Sequence, residues 1–221
     1  FVRILGQLSP QVTDGDAKYI DGAKPGMIYN TVTSECFDGK KGIKVIPCYY
    51  KKDYPEWSDR GDGPGAPVAV HLPNSPVIQT GKRDGSKIRL PNGNYLEETA
   101  SYYVLVETKA GGMTPALISM KSTQLNVSKK WNSMMKTIQI SDGKGGMAIP
   151  PMHGVVYNLQ SVLQKNDKGS WYGWSVAQDR IMGQEDKSLY LTAKDFNTSV
   201  AKGNVQTKAD VEEKAKDNTP Y

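Results

Sequence analysis

Cysteine is scarce in this chain. Cys36 and Cys48 are the only two among 221 residues, and neither belongs to a CxxC pair. The two histidines, His71 and His153, stand far from them in sequence, so a structural zinc site is not expected. With no secretory signal in view, the cysteines read as free thiols of a reducing cytoplasm, a disulfide being the minor alternative. Long apolar runs are lacking too: none approaches the roughly 18 residues of a membrane span, so no membrane partner is expected. P-loop, GxGxxG and HExxH patterns are missing, which leaves ATP, nicotinamide cofactors and thermolysin-like zinc chemistry without support. The expectation is a protein without cofactor or metal. An initiator Met is also missing, since the chain opens on Phe1, and some N-terminal sequence is expected to have been removed or left out.

Negative charge is absent from one window. Between Thr108 and Ser141 there is no Asp or Glu, while Lys121, Lys129, Lys130 and Lys136 all fall inside it. The net charge of +5 is therefore unevenly spread: residues 41–140 hold 14 Lys or Arg against 8 Asp or Glu, and the two ends are close to neutral. Such a distribution favours an anionic partner for the middle of the chain. The length suffices for one sizeable core, and nothing in the pattern demands two.

What the window does contain is the best-defined stretch of the sequence, Pro115 to Ile140. Ala116 to Met120 reads as a short apolar strand, and Ser122 or Thr123 suits the start of a helix. Leu125, Ser128, Met135 and Ile138, with Trp131 and Met134 beside them, recur at three- and four-residue steps and predict one apolar stripe. The other faces are basic. Such a helix packs on a sheet while facing a polyanion, although a solvated amphipathic helix with nothing bound fits the same pattern.

Before this stretch, Met27 to Thr33 and Ile43 to Lys52 read as two strands around the Asp38-Gly39 turn. The second carries Lys44, Tyr49, Tyr50, Lys51 and Lys52, with Tyr54 and Trp57 close behind. Flat aromatic faces beside cations are what a single-stranded nucleic acid needs, one for bases and the other for phosphates. The same tyrosines equally suit a half-buried strand. From Ser58 to Asn94 periodicity is lost and a long loop is expected, from which Arg60, Lys82, Arg83, Lys87 and Arg89 are placed to reach a phosphate backbone, a merely soluble basic loop being the commoner case.

Glu97 to Glu107 is strongly β-forming and turns back through Lys109 to Gly112. After the helix come Val155 to Leu163 and Ser170 to Gln178, joined by Asn166 to Gly169 as a hairpin. Alternation puts Trp171 and Gly173 on one face and Tyr172 and Trp174 on the other, so one pair suits the core and the other a stacking platform. Leu189, Ala193, Phe196 and Val200 repeat at helical spacing behind Asp186, with Gly203 as the stop. The predicted architecture is mainly β: an OB-fold-like five-stranded Greek-key barrel with a central helix, long loops and a C-terminal helix. It spans residues 1–203 as one nucleic-acid-binding domain with a loop insertion around 58–94. Residues 204–221 read as a disordered tail.

Several blocks carry a likeness. NTVT with FDG, VIPCYY, YPEW, GDGPGAP, NGNYLEETASYYVLV, ALISMKSTQL, KKWNSMM, PPM and NDKGSWYGW resemble a family of phage proteins found among replication and recombination genes. Members with an assigned role are described as single-stranded DNA-binding proteins. The resemblance implies an OB-type fold, single-stranded DNA as partner, and a place in the cytoplasm of the infected host. The nucleic-acid-binding residues expected on this reading are Lys44, Tyr49, Tyr50, Lys51, Lys52, Trp57, Arg60, Lys121, Lys129, Lys130, Trp131, Lys136, Trp171, Tyr172 and Trp174. Proteins of that kind typically end in an acidic tail with an aromatic tip that partner enzymes grip. Asp217, Pro220 and Tyr221 are similar to such a tip, but Lys208, Lys214 and Lys216 offset the tail's acids.

No catalytic residue is expected. The best enzymatic counter-reading is a metal-dependent nuclease, in which Glu107-Thr108-Lys109 would share an ion with Glu97 or Glu98. A virion or scaffold protein is a third possibility, one that would need neither the basic helix nor the aromatic-basic strand.

Overall fold

The computed structural model describes residues 1–59, 66–167 and 169–205. Three short strands lead the chain, β1 (Val2–Ile4), β2 (Ile28–Asn30) and β3 (Glu35–Phe37), and the long β4 (Ile43–Trp57) follows them. The next region holds β5 (Ala69–His71), α1 (Pro76–Thr80), β6 (Lys82–Asp84), β7 (Lys87–Arg89) and β8 (Tyr95–Glu97). Then come β9 (Thr99–Glu107), β10 (Met113–Lys121), α2 (Leu125–Thr137), β11 (Ile140–Ser141), β12 (Met147–Ala148), β13 (Val155–Asn166), β14 (Gly169–Ile181) and α3 (Lys187–Ala201).

Five long antiparallel strands form the body, in the order β10-β9-β4-β13-β14. Counted along the chain, that order is third, second, first, fourth, fifth, with α2 between third and fourth. This is the strand order and helix placement of an OB-type barrel. The sheet curls into a half-barrel, because β10 and β14 do not pair with each other. β1 lies against both of them. Its Val2, with Ile28 of β2, joins the barrel core.

Alternation explains why β9 is buried on both faces. Ala100, Tyr102, Val104 and Val106 point into the barrel with Ile118, Met120, Tyr157 and Leu159, while Leu105 points outward into a second cluster with Ile46, Cys48 and Ala193. α3 covers that outer cluster through Leu189 and Phe196. α2 seals the barrel from the other side: Trp131 is fully buried and stacks on Tyr102 with ring centroids 4.2 Å apart. The Tyr102 hydroxyl reaches Ser128 Oγ at 2.8 Å, which is how a serine is accommodated in the apolar stripe. A register shift between Pro47 and Tyr49 accommodates Pro47 of β4, which has no N–H to give to a ladder.

Three expectations from the sequence are corrected. β2 pairs with β1 and β3, and the Asp38-Gly39 turn closes no hairpin with β4. The turn is instead tied to β13, since Ser161 N–H donates to Gly39 O and the Gln160 amide to Lys40 O. Neither Ser122 nor Thr123 caps α2: Ser122 holds a left-handed φ of 52° at the corner, and one 3-10 turn intervenes before Leu125. The region 58–94 is not a plain loop, because β5, α1, β6 and β7 build a small sheet onto the end of β4, with Ile88 and Leu90 buried against Tyr54 and Leu96.

Candidate nucleic-acid interface

The end of β4 leaves the barrel and enters the small sheet. Trp57 pairs with Tyr95 of β8, Tyr95 with Arg89 of β7, and Arg89 with Lys82 of β6, so these four side chains form one cross-strand row. Glu97, Lys87 and Asp84 make the neighbouring row on the same face. The reverse face is closed by Leu96, Ile88 and the Val77 and Ile78 side chains of α1. Below it, buried Glu56 accepts hydrogen bonds from His71 Nε2 at 2.7 Å, Asn94 at 2.6 Å and Asn92 at 3.2 Å. Burial pushes the Glu56 carboxyl upward, but these bonds outweigh it and leave the group below the ordinary carboxylate range. The network pins β4, β5 and the turn before β8 together and makes the face a firm platform.

Cations sit on the aromatic rings. Lys87 Nζ lies 3.6 Å from the centre of the Tyr95 ring and the Arg89 guanidinium 5.5 Å from it. Lys121, at the end of β10, stands 6.0 Å from the Trp57 ring centre and 2.8 Å from Glu97. Arg89 is held by Asp59 at 2.9 Å and Asp84 at 3.3 Å, contacts that raise its already high pKa. Trp57 and Tyr95 are half-buried. Past Lys121, the corner residues Ser122 and Thr123 meet Asn166, Gly169, Ser170 and Trp171 in a recess of about 340 Å³. In barrel terms, the first-to-second and fourth-to-fifth connections border one surface, which is where OB-type barrels take oligonucleotides.

The expected residues divide. Trp57, Lys121 and half-buried Trp171 come together here. Trp131 and Trp174, 0% and 5% exposed, belong to the core and have no face to offer a base. Along β4 the expected interface is not assembled. Tyr50 turns inward onto Tyr102 at 5.0 Å, Tyr49 meets Tyr103 edge-on at 6.0 Å, and Lys44, Lys51 and Lys52 are paired with Asp179, Asp53 and Glu98. The Glu98 bond is the main reason Lys52 titrates above the ordinary lysine range. Lys129, Lys130 and Lys136 line the exposed side of α2 and form no ion pair with a described residue. Tyr172 lies over Gly26. Arg60, Asp217, Pro220 and Tyr221 fall outside the described residues.

Sequence reading missed Tyr95 altogether and placed Lys82, Lys87 and Arg89 within reach of a phosphate backbone, but on a loop rather than on strands. The signal that finds them is pairing: Tyr95 and Arg89 alternate with buried Leu96 and Ile88. The nuclease pairing is not assembled either, because Glu97 ends β8 and Glu107 ends β9, with the length of β9 between them, roughly 30 Å at strand spacing. Among the described residues no three His, Cys, Asp or Glu side chains cluster as metal ligands.

A family model described as Pam3 phage gp34-like protein matches residues 1–206. The chain belongs to that phage protein family. No curated protein and no solved structure matches it. No helix among the described residues is long and apolar enough to cross a membrane.

Proposed function

We propose that this member of the gp34-like phage family is a sequence-tolerant single-stranded DNA-binding protein that coats and protects DNA during phage replication or recombination in the host cytoplasm. The observation that carries the reading is the Trp57–Tyr95 face: two half-buried rings in one row, bordered by Lys82, Lys87, Arg89 and Lys121. Every base has a π-face, so such a platform binds without choosing sequence, and the cations take the phosphates. The carboxylates of Glu97, Asp59 and Asp84 hold Lys121 and Arg89 outstretched, and an incoming phosphate replaces them as partner.

Titration into fluorescent oligothymidylate at two or more salt concentrations tests the proposal. If all four cations neutralise phosphates, the slope of log affinity against log salt is about −3, and duplex of equal length binds more weakly. Trp57→Ala and Tyr95→Ala should each lose roughly 1–3 kcal/mol of binding while melting close to the parent. Affinity indifferent to salt, or a preference for duplex, rejects the function.

A further inference from the structure

We propose that the cleft between the N-terminal segment and the tip of the β13–β14 hairpin holds a further nucleobase of the same DNA strand, an inference that rests on the nucleic-acid reading above. The cleft encloses about 820 Å³, within the range of small-molecule sites, and its walls include Gln7, Leu8, Lys24, Leu163, Trp171 and Tyr172. Leu163 and Tyr172 are a cross-strand pair and share a face. The Tyr172 ring rests on Gly26 so closely that a Cβ there would come within 2.6 Å of it, and the wall is thereby preset. At the mouth, Leu8 is 94% and Leu163 63% exposed, an apolar rim left largely uncovered by the described residues.

The polar groups select the occupant. The Trp171 indole N–H is enclosed without a hydrogen-bond partner among the described residues, and exposed Lys24 forms no ion pair with one. An apolar peptide side chain would use the walls and leave both groups unanswered. A nucleotide unit supplies an aromatic face, a carbonyl acceptor and a phosphate together. Continuity points the same way, because Trp171 also lines the recess with Ser122 and Thr123, next to Lys121. One indole thus forms a wall of both spaces, so a strand that enters the recess beside Lys121 meets the cleft at Trp171.

The test compares the parent with a Leu8→Ser, Lys24→Glu double variant, both positions being exposed, on oligothymidylates of about 6 and about 20 nucleotides. The short strand should bind both proteins alike at the Trp57–Tyr95 face, and the long one should bind the variant about tenfold more weakly. Cross-linking with 5-iodouracil in the long strand should leave adducts on Trp171 or Tyr172 as well as on the Trp57–Tyr95 face. Equal affinities at both lengths, or adducts confined to the Trp57–Tyr95 face, overturn the cleft and leave the DNA-binding function standing. A parent protein that binds neither strand overturns both.

Discussion

Lys129, Lys130 and Trp131 follow one another on α2, and their roles are set by angle alone: the two lysines face solvent and the indole fills the barrel. Two kinds of experiment separate them. Lys129→Ala with Lys130→Ala should leave melting almost unchanged, and if both lysines touch phosphate it should flatten the salt slope by about 1.4 for a single strand. An unchanged slope returns this side of α2 to ordinary solvated surface. Trp131→Ala should instead cost about 3–5 kcal/mol of stability, measured by denaturant unfolding, because it removes the stack on Tyr102 and the edge contact with Tyr157 at 5.6 Å. The helical stripe in the sequence already placed Trp131 inward, and only its basic neighbours made it look like a ligand residue. Similarly, alternation separated Trp171 from Trp174 but could not say which face was inside. Burial at 5% decides that for Trp174.

Among the elements, α3 depends on one carboxylate at its start. Asp186 receives the Arg180 guanidinium and, at 3.0 Å, the Gly183 N–H; the ion pair first and the backbone bond second hold its carboxyl below the ordinary range. A lowered carboxyl stabilises fully above the ordinary aspartate range and loses that contribution as pH falls through the lowered value, so α3 should loosen in acid. At neutral pH the same loss comes from Asp186→Asn. Cys48 reports it, because the thiol lies beneath α3, its carbonyl accepts from the Asn197 amide, and burial pushes its pKa up to about 12. In a Cys36→Ser background, thiol labelling of Cys48 should accelerate roughly fivefold, as expected for losing about 1 kcal/mol from a partly exposed pair. An unaltered rate would mean that α3 docks without this pair. α3 itself was readable from Leu189, Ala193, Phe196 and Val200, as were β9, β10 and the β13–β14 hairpin from alternation and turn residues. The strands of the small sheet were not, since three residues are too few to show a period. Nor did sequence reveal that the β4 lysines are neutralised, because the partners of Lys52 and Lys44 lie 46 and 135 positions away.

At the scale of the whole molecule, the barrel is closed by backbone on one side and by a side chain on the other. Where β10 and β14 fail to pair, Gln124 stands in the seam, its carbonyl oxygen accepting the Trp174 N–H at 2.7 Å and its amide donating to Gln164 at 3.3 Å. Gly173 makes room for it, since a Cβ there would meet the Gln124 amide at 2.3 Å. Gly173→Ala should therefore unseat the plug, and Gln124→Ala should leave the Trp174 N–H without its acceptor, at a cost of about 1–3 kcal/mol where water cannot reach it. The consequence concerns the order in which the molecule comes apart. A fastener made of one side chain opens without disturbing any ladder, so the unfastened edge of β14 is where solvent should enter first. In native-state hydrogen exchange the Trp174 amide should open at a lower free energy than the amides of β9, which is bonded along both edges, and Gln124→Ala should speed exchange at Trp174 while sparing Val104 and Leu105.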